Sequence, residues 1–282
     1  MSTISAAAVN ELRKKTDLPM MDCKKALTEA AGDMDKAIAI LRSQFAKATV
    51  KREGNETAEG RIGIFVDNAA KQAAILEFRC ESAPTAKNDR VIELVADLAK
   101  TVATANPADV PALLAAPFGA ATVKERIDEV VGVIREKMIA HKFARDTGNV
   151  YGQYIHHDGS VGVLLVCKGE KAADEVMRDA SAHIAALNPQ FALVSEVPAD
   201  LLAKEKELAM SHILAEPKNA GKPANIIEKI AEGKMKTWLG ETVLTEQPMA
   251  NAAKYPNTTV GQALQKVGLT VVKFIRFKVG AI

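Results

Sequence analysis

Apolar positions in residues 3–45 recur at helical spacing in three short bursts. Val9 and Leu12 mark the first, Cys23, Ala26, Leu27 and Ala30 the second, and Ala37, Ile40 and Leu41 the third. The punctuation agrees with this reading. Thr3 or Ser5 can cap the first helix, Pro19 closes the turn before the second, Gly32 ends the second, and Asp33 caps the third. A unit of about 45 residues makes only a marginal core, so it reads as an attached recognition module spanning 1–46. The polar, glycine-containing stretch KATVKREGNETAEG, 47–60, reads as a linker.

From residue 61 the period changes from helical to alternating, and one pattern occurs twice. RIGIFVDNAAKQAAILEFRC predicts strand, turn, strand: Ile62, Ile64 and Val66 alternate, as do Leu76, Phe78 and Cys80. A helix follows in DRVIELVADLAKTVA, with Ile92, Val95, Leu98, Ala99 and Val102 as its stripe. NVYGQYIHHDGSVGVLLVCKG, 149–169, again predicts strand, turn, strand, and AADEVMRDASAHIAAL predicts the helix after it. The stretch TVKERIDEVVGVIREKMIAHKF is expected to join the units as one helix. The fold class is therefore α+β, with two related subdomains at 61–148 and 149–282.

Residues 198–239 leave this pattern. PADLLAKEKELAMSHILAEP reads as one helix with Leu201, Leu208 and Ala215 seven apart, and PKNAGKP reads as a turn. ANIIEKIAEGKMKTWL follows with Ile227, Ile230, Ala231, Lys234 and Trp238 on one side, completing an antiparallel helical hairpin inserted in the second subdomain. The closing stretch LTVVKFIRFKVGAI is rich in β-formers and is expected to return to the second sheet.

The 282 residues carry 37 Lys and Arg against 35 Asp and Glu, a balance that argues against a dedicated nucleic-acid binder. Cys23, Cys80 and Cys167 are far apart, without zinc or redox spacing, and read as reduced thiols of a cytoplasmic protein. The start lacks the order of a signal peptide, and no apolar run is long enough to span a membrane. Asn55 and Asn257 match the glycosylation pattern but lack a secretory context.

No phosphate-binding loop, dinucleotide fingerprint or nucleophile elbow is present, since NAGKPAN lacks both the earlier glycine and the Ser/Thr that must follow the lysine. His156 and His157 fall in a predicted hairpin turn without a third ligand, and His183 reads as a satisfied core or interface histidine. No cofactor or metal is expected, and no covalent chemistry has positive support.

What remains is the pair Met20 and Met21 at the start of the second helix. Adjacent helical side chains point about 100° apart, so one flat core face takes both with difficulty. Two readings stay open: both are buried under the first helix, or they form an apolar knob for a partner.

The stretch ELRKKTDLPMMDCKKALTEAAGDMDKAI resembles the opening of the bacterial elongation factor Ts family. YIHHDGSVGVLLVCKG resembles the start of that family's second core subdomain, and EKIAEGKMKTWLGETVLTEQPM resembles the return arm of its helical hairpin. The resemblance runs in order over nearly the whole chain. It implies a ubiquitin-associated-like three-helix module, a linker, two related α+β subdomains and a coiled-coil hairpin. It also implies a guanine nucleotide exchange factor whose partner is elongation factor Tu, in GDP-bound and nucleotide-free forms, without direct nucleic-acid or membrane contact. A dimer of such heterodimers is compatible with it.

The residues matching the family's contacting region are Arg13, Met20, Met21, Asp22 and Lys24. After the second strand, family members commonly carry Thr-Asp-Phe-Val-Ala-Lys, a loop that pushes toward the partner's magnesium site. Here the matching residues are Ser82, Ala83, Pro84, Thr85, Ala86 and Lys87, followed by Asn88. The acid is replaced by Ala83 and the aromatic by Pro84, so an aromatic wedge cannot operate. Either Pro84 wedges with its fixed φ, or the N-terminal module carries more of the coupling. The sequence ends at Ile282, where some family members continue into a helix that touches the partner. Two other readings accompany this one: a passive adaptor without exchange activity, and a translation factor bound to RNA with steep salt dependence.

Overall fold

The computed structural model describes residues 4–281 apart from Asp17 and the side chain of Ala48. Three helices open the chain: α1 (Ala6–Thr16), α2 (Met20–Glu29) and α3 (Met34–Lys51). Val9, Leu12, Leu18, Cys23, Ala26, Leu27, Ala37, Leu41 and Phe45 close their small core. Ser5 caps the first helix through the amide of Ala8, and Asp33 caps the third through that of Lys36. The other proposed cap, Thr3, lies outside the described residues.

The stretch expected to be a linker is in part the end of α3, which runs to Lys51. Tertiary packing overrides its polar composition. Phe45 lies so close to Gly132 that a Cβ there would sit 2.1 Å from its ring. Thr49 donates to Asp128 at 2.8 Å, and Asp128 also holds Lys124 at 2.6 Å. The non-helical connection is correspondingly short, ending where β1 begins at Glu59.

The first sheet contains β1 (Glu59–Asp67) and β2 (Gln72–Cys80) as an antiparallel hairpin. A helical turn, α4 (Ala83–Ala86), follows, then α5 (Asp89–Ala105) and α6 (Val110–Ala115). A two-residue ladder, β3 (Pro117–Phe118) with β4 (Ala121–Thr122), leads into α7 (Val123–Ile134). The joining stretch is not one helix. Arg135 takes a left-handed conformation, φ 67°, and the chain turns into β5 (Met138–Thr147), which adds to β2 as the third strand. The alternation of buried Met138 and Ala140 with partly exposed Ile139 is a strand signal that the preceding helical period obscures.

The second sheet repeats the plan with β6 (Val150–Ile155), β7 (Val161–Lys168) and β8 (Thr270–Lys278), in the order β6-β7-β8. α8 (Asp174–Leu187) packs on it. The hairpin helices are α9 (Ala199–Ala215) and α10 (Ala224–Thr242), and α11 (Val260–Gln265) precedes β8.

The two sheets meet through Ile62, Ala73, Ile75, Tyr151, Leu164 and Val166. Their opposite faces meet helices. Leu76 and Phe78 pack with Leu94, Leu98 and Val102 of α5, while Val163 and Leu165 pack with Met177, Ala180 and Ile184 of α8. β2 and β7 are therefore apolar on both faces, as strands covered on both sides must be. Buried Glu77 ties the end of the chain to the first sheet, accepting from Arg79 Nε at 2.6 Å and from the Gly280 amide at 3.2 Å.

Two expected stripes shift by a residue or more. Val91, rather than Ile92, faces the core of α5, and Ile92 is exposed. On α9, Leu208 and Ala215 face solvent, and Ile213 meets Ile227 and Ala231 of α10. The seven-residue spacing gave way because a single short helix pair buries only one patch. The expected stripe on α10 holds: Ile227 and Ala231 are buried, and Ile230, Lys234 and Trp238 are half-buried.

Candidate functional site

α2 starts at Pro19, whose carbonyl accepts from Asp22 and Cys23 at 3.0 and 3.2 Å. Cys23, Ala26 and Leu27 take the inward positions, beginning almost a turn later than the methionines. The first turn therefore overhangs the small core, and Met20 and Met21 are 50% and 60% exposed. The reading in which both are buried is corrected by this geometry. Arg13 on α1 and Lys24 on α2 are exposed as well, Lys24 one turn after Met20 on the same helix. Asp22 is different: its carboxylate binds Arg135 Nη2 at 2.9 Å, so it fastens the module to the core rather than facing outward.

Residues 82–88 form a capped turn rather than an open loop. Ser82 begins α4, with its hydroxyl 3.5 Å from the Thr85 amide. The amides of Ala86, Lys87 and Asn88 donate back to Ser82, Pro84 and Thr85 at 3.2, 3.2 and 3.1 Å. Pro84 fits because the first turn of a helix leaves its amides without helical partners. Asn88 in turn caps α5 through the Arg90 amide at 3.0 Å.

Each end of this turn is gripped from outside. Glu136 accepts from the Ser82 hydroxyl at 2.7 Å and from its amide at 3.1 Å. Arg61 Nη1 donates to the Ala86 carbonyl at 2.6 Å, and burial lowers the pKa of that guanidinium. Ala83, Pro84 and Lys87 are exposed, while Thr85 and Ala86 are buried. Of the residues matching the family's loop, Thr85 and Ala86 thus pack inward, and Ala83, Pro84 and Lys87 form the outer edge of the turn.

Burial, with the charges of Glu136 and Glu59 adding, pushes the Cys80 thiol up to about 11, where it is not a nucleophile at neutral pH. His156 and His157 sit in the β6–β7 turn with ring centroids 4.2 Å apart. Among the described residues no cluster of three or more His, Cys, Asp or Glu could hold a metal ion. His183 is buried; its Nδ1 accepts from the Ala250 amide at 3.1 Å, and its Nε2 lies 2.8 Å from Gln247 Oε1. It is a satisfied core histidine, as its apolar neighbours suggest. A groove of about 860 Å³ at the base of the helical hairpin is lined by Lys236, Thr237, Glu241 and Gln262, among others. Among the described residues no helix is long and apolar enough to cross a membrane.

Sequence reasoning missed Arg61, Arg135 and Glu136. Arg61 stands at a strand start, where a charge looks ordinary. Arg135 and Glu136 look like the solvated face of a continuing helix, and only the break at Arg135 turns them toward other elements.

The family model described as Elongation factor TS matches residues 85–281. A protein named Elongation factor Ts from Nautilia profundicola is 40% identical, over 99% of this chain and 94% of its own length. Those of Bordetella petrii and Thiobacillus denitrificans are 41% and 42% identical, each over 99% of this chain and 92% and 93% of their own.

Proposed function

This chain belongs to the elongation factor Ts family, a family of translation elongation factors, and on that premise we propose that it binds elongation factor Tu and speeds release of its GDP. The observation that carries the proposal is the pair of exposed methionines on a module fastened to the same corner of the core as the turn at 82–87. Fully burying an exposed methionine side chain is worth roughly 1.5–3 kcal/mol; these two are already about half covered, so docking both adds roughly 2–3 kcal/mol to the roughly 8 kcal/mol of a micromolar complex. Met20 and Met21, flanked by Arg13 and Lys24, dock on the nucleotide-binding domain of the GTPase. Ala83, Pro84 and Lys87 then press on the phosphate and magnesium region of that domain. The second sheet and the helical hairpin hold another part of the partner.

Exchange of this kind is linkage. A factor that binds the nucleotide-free GTPase better than the GDP-bound form is itself weakened by GDP in the same ratio. It accelerates release and leaves the balance of GDP and GTP unchanged. Displacing magnesium is effective because the ion bridges phosphate and protein oxygens. The factor performs no covalent step.

Stopped-flow release of a fluorescent GDP from the cognate elongation factor Tu tests this. The expected result is acceleration by orders of magnitude that saturates with factor concentration. Equal binding to the GDP-bound and nucleotide-free GTPase, without acceleration, would make the chain a passive adaptor. The replacement of an aromatic residue by Pro84 is the observation that favours this second reading.

A further inference from the structure

Three consecutive residues at the corner between α7 and β5 reach three different parts of the molecule. Arg135 binds Asp22 on the methionine-bearing helix. Glu136 binds Ser82 at the head of the exposed turn through two hydrogen bonds. Lys137 Nζ donates to the carbonyls of Glu53 and Asn55 at 2.5 and 2.7 Å, in the connection between α3 and β1. The Lys137 amide also donates to Glu81, next to Ser82, and Glu81 accepts from Asn55 at 3.0 Å and pairs with Arg52 at 3.5 Å. The left-handed backbone of Arg135, φ 67°, permits this divergence, since a continued helix would send the three side chains around one cylinder.

We propose that Arg135, Glu136 and Lys137 are positioning residues that fix the docking methionines and the turn at 82–87 relative to one another. This rests on the reading of those two sites given above. Exchange requires a factor to grip one part of its partner while displacing groups in another, so the spacing between grip and wedge must be rigid. A misplacement of about 1 Å at such a site can cost a hundredfold in rate. The three contacts are not equal. Arg135 is exposed and its pair with Asp22 is partly solvated, so it adds little stability and acts by setting the orientation of α2. Glu136 is half-buried and accepts two charge-assisted bonds from one residue, so the orientation of Ser82 depends mainly on it.

The test titrates elongation factor Tu–GDP with the full-length factor to saturation. It reads the limiting release rate and the half-saturating concentration separately, for the wild type, Glu136→Ala, Glu136→Gln, Arg135→Ala and Pro84→Ala. Backbone amide exchange at 85–88 and thermal melting are read alongside. Glu136→Ala is expected to lower the limiting rate roughly tenfold, with half-saturation within about twofold of wild type. Amide exchange at 85–88 should quicken while the sheets stay protected. Glu136→Gln keeps an acceptor for the Ser82 hydroxyl and should fall between the two. In a Ser82→Ala background the effect of Glu136→Ala should shrink, because its main partner is already gone.

If Pro84→Ala lowers the limiting rate and Glu136→Ala does not, the positioning role is overturned and the role of the turn survives. If Glu136→Ala lowers melting temperature and affinity together without a selective fall in limiting rate, Glu136 is only structural and the inference is likewise overturned. If neither Pro84→Ala nor Glu136→Ala changes release, the reading of the turn falls and takes the inference with it.

Discussion

The two sheet units are built alike up to one connection. Each begins with a hairpin whose first strand carries a glycine under the following helix. At Gly63 a Cβ would meet Val95 at 2.6 Å, and at Gly152 it would meet Met177 at 2.6 Å. Each helix lies on its sheet only because that side chain is absent. The units part where the second strand hands over to the helix. In the first, residues 82–88 form a turn capped by Ser82, held by Glu136 and Arg61, and closed by the Asn88 cap of α5. In the second, residues 169–173 have no helical turn, and α8 starts at Asp174 with Ala173 before it and no side-chain cap. Packing of strand and helix does not require the bracing, since the second unit lacks it. The bracing in the first unit is therefore to be explained by what the turn does.

The largest expected effect tests the shared scaffold. Gly63→Ala and Gly152→Ala should each cost about 1–3 kcal/mol of stability, the usual range for overpacking. Denaturant unfolding measures it, and a tolerated Gly152→Ala would mean that the second unit does not share the constraint. Next comes docking: Met21→Ala should weaken binding to the GTPase by about 1–3 kcal/mol, read by calorimetric titration, as expected of an exposed anchor residue.

A smaller effect separates the cores by pH. Burial lowers the pKa of His183 from its usual 6.5 although Gln247 raises it. Its unfolded form therefore takes up a proton first, so this contribution to stability is present above pH 6.5 and is lost as pH falls toward the lower folded pKa. Unfolding free energy should decline below pH 6.5 by up to about 1.4 kcal/mol per pH unit, and His183→Gln should flatten that slope. The smallest effect concerns the unbraced connection. Glu170→Ala and Lys171→Ala should change stability by less than about 0.5 kcal/mol and leave exchange alone.

Much of this architecture was legible from periodicity. Both hairpins, α5 and α8, and the helical hairpin follow from alternating or helical spacing that tertiary packing reinforces. The failures have physical causes. Residues 47–51 open the polar, glycine-containing stretch 47–60, yet Thr49 and Phe45 bind α7 and hold the chain helical. Residues 138–143 follow a strong helix, and no glycine or proline stands between Val133 and Phe143, so the left-handed break at Arg135 leaves no mark in the sequence. Of the candidate site, the outward methionines were one of two readings that pattern alone could not separate. The positions matching the family's loop were visible, but not that Thr85 and Ala86 turn inward or that Asp22 is occupied. Inward packing and long-range partners such as Asp22 with Arg135 depend on the folded path rather than on local spacing.

On the proposed mechanism, docking and displacement reside in different residues held at a fixed spacing. The most direct measurement is saturation stopped-flow release of GDP with Met21→Ala and Pro84→Ala side by side. Met21→Ala should raise the half-saturating concentration and largely spare the limiting rate, whereas Pro84→Ala should lower the limiting rate and spare half-saturation. Both substitutions moving the same parameter would contradict it.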